Sequence, residues 1–304
     1  MSLALGPGAA ARAAPPSPDP EATVVSEFVV TAHAGGPAWW RVSSARGTVW
    51  VLGVPEVLPH GLKWDQTLLR LRLKGARELI GGPAVTVSFG DIFALMRLRG
   101  QLRAHGRMED GLAPDLRARF LADKARLTRD PRAYSGWSPL VASLLMAQDF
   151  RRESHLDTLE PARSITALAR AEGVKVTPAG SYRLVPLLRG AESGMDAAGP
   201  ECLADVLDEI EAGPDRARAA AQGWARGDTA MALTAARGYE RCLNALPGSL
   251  NLSDRTAADA AAAIGKAADA GGESVAIINL RTLLAQTGAL QRLRSAGYRI
   301  DTPN

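Results

Sequence analysis

The stretch GTVWVLGVPEVLP, residues 47–59, reads as a strand that ends in a sharp turn. Thr48, Val49, Trp50, Val51 and Leu52 are β-branched, aromatic or aliphatic, and Gly53 then interrupts the run before Pro55. In α/β proteins a strand end followed by such a turn is where reactive groups are presented. The residue presented here is Glu56.

Working outward from this strand, apolar runs and helical periodicity alternate along the chain. Further strands are expected at Val24–Thr31, Ala38–Val42, Val85–Phe89, Val174–Pro178, Ser274–Asn279 and Tyr298–Asp301. Asp65–Glu78 carries Leu68, Leu69, Leu71, Leu73 and Ala76 at helical spacings, and Asp91–Ala104 repeats the pattern behind a possible Asp91 N-cap. Pro114 opens a helix through Leu116, Phe120 and Leu127, and Pro139–Phe150 forms the next. Ile165–Glu172 stops at Gly173, which reads as a C-cap. Pro200–Glu211 and Pro214–Arg226 each begin with Pro near the first helical position and finish near Gly. Ala257–Ala270 is a further helix, closed by Gly271 and Gly272. This alternation predicts an α/β fold, a mixed central sheet flanked by helices, with an antiparallel entry through the closely spaced first strands.

The chain has 304 residues, of which 46% are apolar, enough for a substantial core. Lys and Arg number 36 against 32 Asp and Glu, with the two signs interleaved, so no basic block marks a nucleic-acid partner. No window holds the roughly 18 consecutive apolar residues that a membrane span needs. Residues 1–23 are small and then Pro-rich, like the end of a signal peptide or a disordered arm, which points to an exported chain, periplasmic or secreted. Residues 24–304 form a single domain in this reading. Cys202 and Cys242 have no Cys or His at zinc-finger spacing. Taken alone, they are either one disulfide or two buried thiols.

Motif chemistry is sparse. The chain has no Gly-x-Ser-x-Gly elbow and no phosphate-binding loop. Trp39, Trp40, Trp50 and Trp64 gather near the first turn, where they either line a cleft or fill the core. Arg183 follows a strand end, placed to hold an anion or to pair with a carboxylate. Of the four histidines, His33, His60, His105 and His155, only His60 is near Glu56.

The segment GGPAWWRVSSARGTVWVLGVPEVLPHGLKW resembles the opening of the TraB/GumN (PrgY-like) family, where a strand pair leads to a Gly-x-x-His motif, a Leu-Pro and a Trp. ARAEGVKVTPAGSYRLVPLLRG resembles that family's middle strand and the helix after it. ECLADVLDEIEAG and GWARGDTAMAL resemble its C-terminal helices, and ESVAIINLRTLLAQTGALQRLRSAGYRID its last strand–turn–helix–strand unit.

The resemblance implies a fold related to the erythromycin-esterase and ChaN-like proteins, with two half-sites at strand ends. In active relatives these half-sites would hold a divalent metal for peptide hydrolysis through two Gly-x-x-His motifs. Here the first motif falls on Gly53, Val54, Pro55 and Glu56, and the second on Ile278, Asn279, Leu280 and Arg281. Both histidine positions are therefore changed, to Glu56 and Arg281. A guanidinium stays protonated and repels a cation. The expectation is a pseudoenzyme without cofactor, in which Gly53, Glu56, His60, Arg183 and Arg281 are candidates to line a cleft for a small-molecule, peptide or envelope partner. An ion pair between Glu56 and Arg281 would take the metal's place. The competing expectation is a metal-dependent, peptidase-like hydrolase with a rearranged site, using a divalent metal. The resemblance also puts Cys202 and Cys242 on neighbouring helices, which in an exported chain implies a disulfide.

Overall fold

The computed structural model describes residues 21–303 apart from 33–34, 89–90, 93–95, 97–99, 101, 105, 159, 187–194 and 245–248. The chain enters through a 3₁₀ turn (Ser26–Phe28) and a hairpin of β1 (Trp39–Ser43) and β2 (Gly47–Val54). There follow β3 (Leu58–Pro59), α1 (Thr67–Gly75), β4 (Ala76–Gly81) and β5 (Ala84–Thr86). A helical section holds α2 (Pro114–Leu127), α3 (Pro139–Glu153), β6 (Leu156–Asp157) and α4 (Glu160–Ala171). β7 (Lys175–Pro178) and β8 (Ser181–Arg183) lead to α5 (Met195–Ala212), α6 (Asp215–Ala225), α7 (Thr229–Ala232), α8 (Gly238–Asn244) and α9 (Ser249–Asp269). The chain closes with β9 (Gly272–Asn279), α10 (Leu280–Leu284), α11 (Ala289–Ser295) and β10 (Arg299–Asp301).

The central sheet is mixed and six-stranded, in the order β10-β1-β2-β9-β4-β7. β1 runs antiparallel to both β2 and β10, while β2, β9, β4 and β7 pair in parallel. Alternate residues of a strand face opposite sides. In the hairpin this sends Trp40, Val42, Val49 and Val51 into the core, all of them fully buried. Trp39, Arg41 and Trp50 stand on the other face, where Arg72 of α1 lies over both indoles. The Ala-rich α9 packs across β1, β2 and β9, its small side chains allowing close approach. Each fully buried Val or Leu in this core contributes about 1.5–3 kcal/mol.

A second apolar cluster unites α2, α3 and α5 through Phe120, Met146, Phe150, Leu203, Leu207 and Ile210. Beside it, Cys202 of α5 and Cys242 of α8 stand at disulfide distance, with Cα atoms 4.4 Å apart.

Several local expectations are corrected. Val24–Thr31 is not a strand: the 3₁₀ turn is flanked by single bridges, Val24 to Ala285 and Thr31 to Asp228. The free edge of β1 is occupied by β10 instead. The helix expected over Asp65–Glu78 stops at Gly75, and Ala76–Gly81 becomes a central strand between β9 and β7 despite the helix formers Arg77 and Glu78. Pairing on both edges overrides their propensity. Of the described part of Val85–Phe89 only Val85 and Thr86 are strand, pairing with β8 outside the main sheet, and Phe89 lies outside the described residues. Pro200 sits inside α5, not at its start, and α9 begins eight residues before the expected Ala257. The helix expected over Asp91–Ala104 lies largely outside the described residues, as do residues 1–20 of the expected arm. Glu21 and Thr23, read from sequence as the arm's end, are docked: Glu21 pairs with Arg237 at 3.5 Å, and the Gln286 amide donates to the Thr23 carbonyl at 3.1 Å.

Candidate functional site

The parallel register places the two turns side by side. Gly53 is opposite Ile278 and Val54 opposite Asn279, so β2 and β9 end together at the C-terminal edge of the sheet. That edge is where open α/β sheets form their crevices. Gly53 is required by packing: a Cβ there would come within 2.5 Å of Leu280 and 3.2 Å of Leu283 and Trp40. Its carbonyl accepts a hydrogen bond from the buried Trp224 indole at 2.7 Å. Asn279 is the N-cap of α10, its side chain accepting from the Arg281 and Thr282 amides at 2.9 and 3.2 Å. A short polar residue after β9 therefore starts a helix whose second residue is Arg281.

Glu56 and Arg281 line one cleft, closed on its far side by Phe150 of α3, Glu209 of α5 and Glu240 of α8. They do not pair with each other. Arg281 donates through Nη2 to the Leu233 carbonyl, whereas Glu56 meets Glu240. The expected Glu56–Arg281 ion pair is therefore replaced by separate partners from the helical side.

The centre of that network is Arg151, nearly buried on α3. It pairs with Glu209 at 3.5 Å and Glu240 at 3.8 Å, and its guanidinium lies 4.5 Å from the centre of the Tyr239 ring. The Tyr239 amide donates to Glu209 at 3.3 Å. On the opposite wall Arg237 pairs with Glu21, and the Thr282 hydroxyl donates to Glu21 at 2.8 Å.

Burial, then the neighbouring Glu240 carboxylate, push the Glu56 carboxyl well above the usual carboxylate range, with Arg151 opposing. The surface Glu56 keeps opens on the cleft, which accounts for strong desolvation in a side chain that is only part-buried. Burial likewise raises Glu209, with Arg151 opposing and Glu240 reinforcing, and it raises the Tyr239 phenol, with Glu56 reinforcing. One oxygen of Glu240 is buried without a donor among the described residues, and the raised Glu56 carboxyl beside it favours the protonated form that could donate across the contact. Four carboxyl groups, Glu21, Glu56, Glu209 and Glu240, then meet three guanidinium groups, Arg151, Arg237 and Arg281. With all four carboxyl groups ionised the cluster would carry one net negative charge, in keeping with the upward push on the Glu56 carboxyl.

The other sequence candidates lie elsewhere. His60 is exposed beyond β3, 3.8 Å from Asp157, and does not line the cleft. Arg183 ends β8 and pairs with Asp91 at 3.2 Å, also away from the cleft. Arg151, Glu209 and Glu240 escaped the sequence reading. Their signal is a charge on an apolar stripe: Arg151 follows Leu140, Ser143 and Ala147 at helical spacing, and Glu209 follows Cys202 and Val206.

The donor set does not fit a divalent metal. Among the described residues no three His, Cys, Asp or Glu side chains converge to hold one. Burial and Glu240 push the carboxyl nearest the first motif position toward its protonated form, and three guanidinium groups repel a cation.

The model of the TraB/PrgY/gumN family matches residues 38–302. No curated protein and no solved structure matches the chain.

Proposed function

Because this chain belongs to the TraB/PrgY/gumN family, we propose that it is an exported, noncatalytic member. In this reading the strand-end cleft binds the charged end of a small molecule, a peptide or an envelope partner. The observation that carries the reading is the pairing of the two turns in register with charged, non-histidine residues at both motif positions, Glu56 and Arg281, on one cleft. The Arg281 and Arg237 guanidinium groups supply donor chemistry, and Glu56, Glu209, Glu240 and Glu21 supply carboxyl oxygens, so the cleft suits a polar group more than an apolar one. Its volume of about 50 Å³ admits a functional group or a few waters, with the rest of any ligand outside.

Export is supported by the Cys202–Cys242 pair, since disulfides persist in oxidising compartments. Among the described residues no helix is long and apolar enough to cross a membrane. Metal analysis of the purified protein, together with a peptidase screen with and without chelator, tests the reading. The expected result is substoichiometric metal and no chelator-sensitive turnover. Stoichiometric metal with chelator-sensitive cleavage would restore the hydrolase.

A further inference from the structure

A second recess lies on the other side of the sheet's hairpin, between α1 and the β1–β10 edge, and shares no lining residue with the cleft. Its volume of about 610 Å³ is within the range of small-molecule sites. Arg72 is held over two indoles, its guanidinium carbon 4.3 Å from the centre of the Trp39 ring and 4.0 Å from that of Trp50. The helix α1 sets this position, because Leu69 and Leu73 bury its inner face and leave Arg72 at the flank, over the indoles.

The electrostatics are unusual for an arginine so enclosed. Arg72 makes no hydrogen bond or ion pair with any described residue, and its Nη1 is buried without an acceptor. Arg41, 6.0 Å over Trp50, is tied to Asp301 at 2.8 Å, and Arg299 is tied to the same carboxylate at 2.9 Å. Two guanidinium groups therefore share the Asp301 carboxylate, and Arg72 stands beside them with no ion pair to a described residue. Glu273 is the further acid that Arg72 feels, too distant for an ion pair. Desolvation brings Arg72 down to about 10, which leaves it cationic at neutral pH. Indole faces stabilise a cation without neutralising it, so they hold its charge available to an arriving anion.

We propose that this groove is a binding site for a small organic anion whose charge is carried on a flat or ring-shaped apolar body. The anion would meet the unused donors of Arg72, with Arg41 and Arg299 adding positive potential, while the ring would lie against Trp50 and the apolar wall formed by Pro37, Leu68 and Ile300. A bare anion lacks the second contact and a neutral ring lacks the first.

Calorimetric titration of the full chain with benzoate, phenyl phosphate, acetate and benzyl alcohol tests this, with NMR of the tryptophan indoles to locate binding. At least one aromatic anion is expected to saturate the protein at least 10-fold more tightly than acetate or benzyl alcohol and to shift the Trp50 indole signal, and the carboxylate and phosphate arms tell which head group is preferred. Arg72→Met should weaken that binding at least 10-fold, and Arg72→Lys, which keeps the charge but loses the planar fork, should fall between. Failure of both aromatic anions to saturate at millimolar concentration, or equal affinity in a folded Arg72→Met, would overturn the proposal. Should Arg72→Met not fold, the four-ligand comparison on the unmodified chain still decides: a neutral ring binding as tightly as the anions rejects the site.

Discussion

The strand-end cleft and the hairpin groove both enclose arginine, and they treat its charge in opposite ways. In the cleft Arg151 is surrounded by the carboxyl groups of Glu209 and Glu240, and a proton retained on the raised Glu56 carboxyl would bring the whole cluster to neutrality. In the groove Arg72 is backed by Trp39 and Trp50 and has no ion-pair partner among the described residues. The first arrangement uses charge to hold helices against a sheet edge; the second holds a charge in place without cancelling it. Truncating the cation should accordingly be costly in one region and mild in the other.

The largest effect is expected at Arg151. Arg151→Met leaves Glu209 and Glu240 buried without their cation, a loss of about 3–5 kcal/mol in urea unfolding. Arg72→Met should cost less than about 2 kcal/mol, because a cation–π contact is lost but no buried carboxylate is stranded. Adding Glu240→Gln to Arg151→Met should recover part of the loss. Equal costs at Arg151 and Arg72 would erase the contrast between the regions.

The cysteine pair at disulfide distance sharpens the same comparison, because a bond there would join the helices that carry the cleft carboxylates. α5 bears Cys202 and Glu209, and α8 bears Glu240 and Cys242. The two cysteines are 40 residues apart, so Cys242→Ser should lower stability by about 3–4 kcal/mol in the chain-entropy model. Hydrogen exchange should rise on α8 and around Glu240 while the α1 groove stays unchanged. Recovery of two free thiols from protein made in an oxidising compartment would break the link.

Next in size is Gly53→Ala. The added methyl would press on Leu280, which is buried and cannot swing into solvent, so overpacking should cost about 1–3 kcal/mol. The displacement passes through α10 to Arg281, so the cleft should respond and the groove should not. Indole signals of Trp224 and Trp50 report the two regions separately.

How much of this was legible in the sequence follows from the kind of signal each element carries. β2 and β9 are visible because Thr48–Leu52 and Val275–Ile278 are continuous apolar or β-branched runs, as buried parallel strands are. β4 was hidden because Ala76–Gly81 contains Arg77 and Glu78 and continues the phase of a Leu-rich helix; only its two neighbours in the sheet make it a strand. At the site, the family motif positions located Glu56 and Arg281, which do line one cleft. The charges that face them are harder to read: Arg151 and Glu209 each fall on an apolar stripe, which marks them as inward-facing, but they and Glu240 come from three separate helices, and no local pattern says that these meet at one cleft. The groove is half legible: the tryptophans cluster in the sequence, but the arginine that gives them a role lies on α1, and no local pattern links it to β1 and β2.

The smallest effect at acidic pH, and the sharpest test of charge balance, is Glu56→Gln. If the folded chain keeps Glu56 protonated, glutamine is a near isostere that also donates to Glu240, so at pH 5 the two proteins should agree within about 1 kcal/mol. The pH dependence then separates them. An unfolded Glu titrates near about 4.3, and the folded group titrates higher. Between those values the folded state binds more protons than the unfolded one, so the contribution of Glu56 to stability is complete below about pH 4.3 and is lost as pH rises through the folded value. Glu209, also raised, adds a slope of the same sign, while Asp91, Glu109 and Asp301, held below the usual range by hydrogen bonds and neighbouring cations, add the opposite one. These groups are common to both proteins and drop out of the difference. Urea unfolding at pH 5 and pH 8 should therefore show Glu56→Gln gaining on the unmodified chain as pH rises. Parallel curves would mean that Glu56 is ionised when folded. The cleft would then carry net negative charge, as a cation site requires, and the contrast with the groove would shift from neutral against positive to negative against positive.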